Sequence, residues 1–101
     1  MTQALRFHET GGPDVFLWEE VEVPAPGDGE VRIRHAALGF NSLDADQRAG
    51  RMAPSSFPCI TGIEGAGTVE AVGSGVDGWR EGDRVAYPLS FGAYAETRLV
   101  K

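Results

Sequence analysis

The sequence predicts a mainly all-β domain, a small barrel of short strands carrying one short helix. Three observations carry that expectation. Apolar residues recur with a period of two along most of the chain, whereas a helical period of 3.6 is almost absent. Six prolines and fourteen glycines break the chain into short runs separated by turns. Only one segment, residues 42–50, has the composition of a helix.

Residues 4–8 (ALRFH) read as the first strand, and HETGGPD after them is dense turn material. Residues 15–23 resume a strand that runs into the rigid link PAPGDG. From Glu30 the alternation is clean: Val31, Ile33, His35 and Ala37 share one face, Arg32 and Arg34 the other. The helical segment SLDADQRAG has acids early, Arg48 late and a stop glycine at Gly50, with Asn41 or Ser42 as the N-cap. Further strands are expected over residues 67–72, 84–87 and 94–100. No internal repeat, low-complexity segment or domain boundary is visible.

Composition excludes several functions. The 101 residues carry a net charge of −6 and 42% hydrophobic residues, enough for one globular core. Arg32 and Arg34 are the nearest approach to a basic patch, so no nucleic-acid partner is expected. No apolar run approaches a membrane span, and MTQALRFHETGG lacks the apolar core of a signal peptide. Cys59 is the only cysteine. It cannot form an internal disulfide or a multi-cysteine zinc site, which fits a reducing cytoplasm.

Residues 73–78, GSGVDG, spell the dinucleotide fingerprint G-x-G-x-x-G. A strand-like run, TVEAV, precedes it, and Glu96 stands about 20 positions on, where the ribose-binding acid is expected. The fingerprint works by placing a pyrophosphate at a helix N-terminus. The next ten residues here, WREGDRVAYP, make a turn and a short strand. Without that helix the segment reads as a loop between two strands.

Two histidines exist, and neither belongs to a catalytic constellation recognisable from spacing. His35 lies on the apolar face of its strand, as a core histidine does, and His8 sits at a strand end, a solvated position. Two polar segments remain: NSLD, which opens the helix, and GIEGAG, which sets Glu64 among three glycines. Asn41 with Asp44 three residues on is a capping pattern. Spacing alone leaves both segments open between structure and function.

The same segments carry a resemblance. ALRFHETGGPDVFLWEEVEVPAPGDGEVRIRHAALGFNSLDADQRAG, FPCITGIEGAGTVEAVGSGVDGWREGDRVAY and FGAYAETRLV resemble the opening of the zinc-independent, zeta-crystallin-like quinone oxidoreductases. These belong to the medium-chain dehydrogenase/reductase superfamily. The resemblance implies a GroES-like, partly open β-barrel with one or two short helices, serving as the N-terminal catalytic domain of a longer enzyme. A Rossmann domain holding most of the NADPH is then expected after Lys101.

It also implies hydride transfer from NADPH to a quinone or an α,β-unsaturated carbonyl, an enoyl reductase being the near alternative. The full-length enzyme is expected to be a cytoplasmic homodimer. Catalytic roles fall to Asn41, Asp44 and Glu64, with Asn41 and Arg48 at the cofactor. Zinc-dependent relatives place cysteine at Asn41 and histidine at Ile63, and neither an amide nor an aliphatic chain replaces those ligands, so no zinc is expected. One departure stands out. Many quinone reductases have tyrosine where this chain has Asp46, which puts the quinone preference in doubt. A stand-alone GroES-like binding or scaffold module, without catalysis, is the alternative of a different class.

Overall fold

The computed structural model describes residues 2–101. Strands β1 (Thr2–Phe7) and β2 (Phe16–Val21) pair antiparallel as a two-stranded sheet, with a 3₁₀ turn at Pro13–Val15 between them. Strands β3 (Val31–Leu38), β4 (Gly65–Val72), β5 (Arg84–Tyr87) and β6 (Thr97–Val100) form a second sheet in the order β5-β4-β3-β6, every neighbour antiparallel. Helix α1 (Ser42–Ala49) lies between β3 and β4 in sequence. The domain is mainly β, as expected, and its sheets stay open, without closing into a complete barrel.

Two isolated bridges join distant parts of the chain, Ala4 with Ala95 and Phe7 with Cys59. The fully buried Phe7 meets Phe16 and Phe57 edge-on, with centroids 5.8 and 6.0 Å apart. Ala4, Val31, Ile33, Ile63, Val69, Ala93 and Ala95 complete the buried apolar set.

The alternation read along β3 holds only in part. Val31 and Ile33 are buried, His35 is half-buried and Ala37 is exposed. The pairing of β3 with β4 shifts register between His35 and Ala37, and beyond it Ala36, Ala37 and Leu38 are all exposed, so the alternation stops there. The outward arginines behave as expected: Arg34 is exposed and Arg32 pairs with Glu70 at 2.8 Å. The strand expected over residues 15–23 begins one residue later, after the 3₁₀ turn. The one expected over residues 94–100 is regular only from Thr97.

GSGVDG lies in the loop between β4 and β5. Its Gly73 N–H donates to the Glu30 carbonyl at 2.8 Å, and its Ser74 carbonyl accepts from the Gly29 N–H at 2.9 Å. No helix succeeds it: turns lead directly into β5. The Glu96 carboxylate accepts the Gln3 N–H at 2.8 Å, a bond that ties β1 to the segment just before β6. The fingerprint is a loop, as the missing helix implies.

Candidate active-site corner

Capping chemistry starts α1 at the expected residue. Asn41 is the N-cap, with extended backbone at φ −132° and ψ 155°, and Gly50 ends the helix at φ 89°. The Asp44 carboxylate accepts the Asn41 N–H at 3.1 Å, and the Asp44 N–H donates to the Asn41 carbonyl at 3.0 Å. These bonds satisfy donors at the start of the helix. The inward face of α1 is unusual in being polar: its buried residues are Asp44 and Gln47. Asp44 has no exposed surface at all.

A carboxylate so buried needs a partner. Tyr94 supplies it, donating its phenol O–H to Asp44 Oδ2 at 2.6 Å. Tyr94 is itself held by backbone bonds: its N–H donates to the Thr61 carbonyl at 3.0 Å and its carbonyl accepts from Leu5 N–H at 2.8 Å. Burial, then the neighbouring Asp44 carboxylate, push the phenol well above its ordinary range. It therefore remains a donor at any physiological pH. Four polar atoms, Asn41 Nδ2, Asp44 Oδ1, Gln47 Oε1 and Thr61 Oγ1, are buried without a partner among the described residues. Each such group costs about 1–3 kcal/mol when left unpaired.

The expected site residues do not all meet. Asn41 and Asp44 are bonded to one another. Glu64 packs instead against Gly39, where any Cβ would overlap its carboxylate, and no hydrogen bond joins it to Asn41 or Asp44 among the described residues. Arg48 has a structural occupation: its Nε donates to the Gly11 carbonyl at 3.2 Å, its own carbonyl accepts from Gly11 N–H at 2.9 Å, and its guanidinium stands 5.9 Å from the Phe16 ring centre. Asp46 is partly exposed and paired with Arg51 at 2.8 Å. Among the described residues no group of three or more His, Cys, Asp and Glu could hold a metal ion. Ile63 is a buried core residue.

Spacing along the chain gives no hint of Tyr94, Gln47 or Thr61. The one signal for Tyr94 is its place between two alanines, Ala93 and Ala95, both buried.

His35 is satisfied, as a core histidine should be. Its Nδ1–H donates to the Ala95 carbonyl at 2.7 Å, which leaves Nε2 as the acceptor for the Tyr87 O–H, also at 2.7 Å. Arg98 in turn donates to the Tyr87 oxygen at 3.3 Å. Burial holds the His35 imidazole below its usual 6.5, nearby Arg98 adds to this, and the Ala95 bond opposes it. The unfolded chain consequently binds more protons than the folded one just below that value. Stability is complete above about pH 6.5 and falls as pH drops from there through the lowered folded value. Thermal melts from about pH 7.5 down to about 5.5 should show this slope, and His35→Gln should flatten it; an unchanged slope would contradict the arrangement. His8 is exposed and bonds Glu19 at 2.7 Å.

Comparison with known proteins places the chain in a family. Residues 27–101 match the alcohol dehydrogenase GroES-like domain, and the chain belongs to that family, within the medium-chain dehydrogenase/reductase superfamily. It is 46% identical to a 2-haloacrylate reductase of a Burkholderia species, over 98% of this chain and 31% of the relative. To a quinone oxidoreductase of Pseudomonas aeruginosa it is 41% identical, over 99% of this chain and 31% of the relative. The crystal structure of Escherichia coli quinone oxidoreductase complexed with NADPH superposes with a TM-score of 0.94 at 36% identity, over 97% of this chain and 30% of that one. The chain thus spans about a third of the length of the relatives it matches. No helix among the described residues is long and apolar enough to cross a membrane.

Proposed function

We propose that this chain is the catalytic-domain portion of a zinc-independent, NADPH-dependent reductase that delivers hydride to an activated alkene or a quinone. The observation that carries the reading is the Asn41–Asp44 corner, where a buried amide donor has no partner among the described residues beside a carboxylate fixed by Tyr94. Such a donor fits the carboxamide of a nicotinamide, and the relatives are reductases, one of them solved with NADPH. When bound, the cofactor supplies the hydride from its C4. In this reading Asn41 orients the nicotinamide end, and Asp44 holds Asn41 rather than acting as an acid. Glu64 packs beside Gly39, two residues before Asn41, and Arg48 supports the site indirectly by anchoring α1 to Gly11. A Rossmann domain, carried by the remainder of the full-length protein, holds the pyrophosphate.

Asp46 favours an alkene over a quinone. It is a partly exposed carboxylate engaged with Arg51, in the position where many quinone reductases carry tyrosine, and so offers neither a stacking ring nor a phenol donor to a quinone. The test is NADPH oxidation by the full-length protein, with a 2-haloacrylate and a simple quinone as competing acceptors. Turnover of both is expected, faster on the alkene, with a severalfold gain on the quinone in Asp46→Tyr. Protein purified without a metal-affinity step should contain far less than one zinc per chain. Absence of turnover with either acceptor would favour the scaffold alternative, and stoichiometric zinc resistant to chelation would overturn the metal-free site.

A further inference from the structure

We infer that Tyr94 is a positioning residue for the cofactor, acting through Asp44 on Asn41; the inference rests on the proposed contact of Asn41 with NADPH. The geometry is a chain of directed bonds. The Tyr94 O–H donates to Asp44 Oδ2 at 2.6 Å, and the same oxygen accepts the Asn41 N–H at 3.1 Å. One carboxylate oxygen therefore ties the phenol to the residue at which β3 gives way to α1. Asp44 has no water-exposed surface, so nothing else can take the phenol's place without entering the interior.

Tyr94 is a fixed post. Its backbone is bonded to both Thr61 and Leu5, and its ring lies on Gly62, where an added Cβ would stand 2.5 Å from Cδ1. Asn41, by contrast, is set by local bonds at a single helix end, and its amide Nδ2 finds no partner among the described residues. An unpartnered donor helps a ligand only when it is already aimed, because ordering it on binding costs affinity. The long-range bond from Tyr94 fixes the Asn41 backbone from which that amide projects.

The experiment uses the full-length protein with Tyr94→Phe, Asn41→Ala, the double variant, and Val69→Ala as a destabilised control from the core. NADPH binding is measured by calorimetry and kcat with saturating NADPH. Tyr94→Phe should weaken NADPH binding about fivefold with kcat little changed, a fraction of what one charge-assisted hydrogen bond is worth. In the Asn41→Ala background the same change should have no further effect, since coupled groups are non-additive. Val69→Ala should lower the melting temperature without weakening NADPH binding. Asp44→Asn carries the same test if Tyr94→Phe does not fold. The inference is overturned if Asn41→Ala weakens NADPH binding while Tyr94→Phe does not, or if the two losses simply add. If Asn41→Ala itself leaves NADPH binding unchanged, the assignment of Asn41 fails and this inference with it.

Discussion

Gly62→Ala is expected to destabilise the domain by about 3 kcal/mol, and to lower its melting temperature by roughly 15 °C. Two costs combine. Gly62 sits at φ +98°, a conformation that costs an L-residue about 1–2 kcal/mol. The new methyl group would also stand 2.5 Å from Tyr94 Cδ1, 2.8 Å from Cε1 and 3.0 Å from the Ala93 Cβ. Overpacking of that kind costs about 1–3 kcal/mol when neighbours must shift. They have little freedom to do so. The Gly62 carbonyl accepts from both Gly92 and Ala93 N–H groups, at 2.9 and 3.2 Å. The ring that would move is the one bonded to Asp44, so stability and the corner's geometry fail together. A denaturant titration giving a loss under about 1 kcal/mol would show that the Tyr94 ring is free to move and is not a fixed post.

Local chemistry explains what can be read from the residues. The helix from an Asn41 cap to a Gly50 stop is legible because capping bonds and a left-handed glycine act within a few residues. Residues 84–87 are legible as a strand because a turn at Gly82-Asp83 and Pro88 bound them. GSGVDG is legible as a loop for the same kind of reason, since the helix its fingerprint requires would have to start at once. The hidden features depend on distant partners. Tyr94 meets Asp44 across 50 positions, and no spacing rule links them. The alternation of β3 ends near a register shift against β4, and such a shift is set by pairing rather than by β3 itself. The bond of Arg48 to the Gly11 carbonyl spans 37 positions and is equally invisible to spacing. Tyr94 and Ala95 leave the β6 ladder to serve β1 and the Thr61 segment, which shortens a strand that composition alone would extend.

In the proposed arrangement this chain forms one wall of a cofactor cleft and has no nucleotide site of its own. Hydride transfer needs donor and acceptor held about 3–3.5 Å apart, which takes two walls. Pyrophosphate binding needs a helix N-terminus or comparable nest of N–H groups, and GSGVDG leads into turns. The most direct measurement is a calorimetric titration of NADPH into the 101-residue chain and, side by side, into the full-length protein. A one-walled cleft predicts micromolar binding by the full-length protein and no detectable heat of binding with the 101-residue chain. Micromolar binding by the 101-residue chain would contradict it and return GSGVDG to the cofactor.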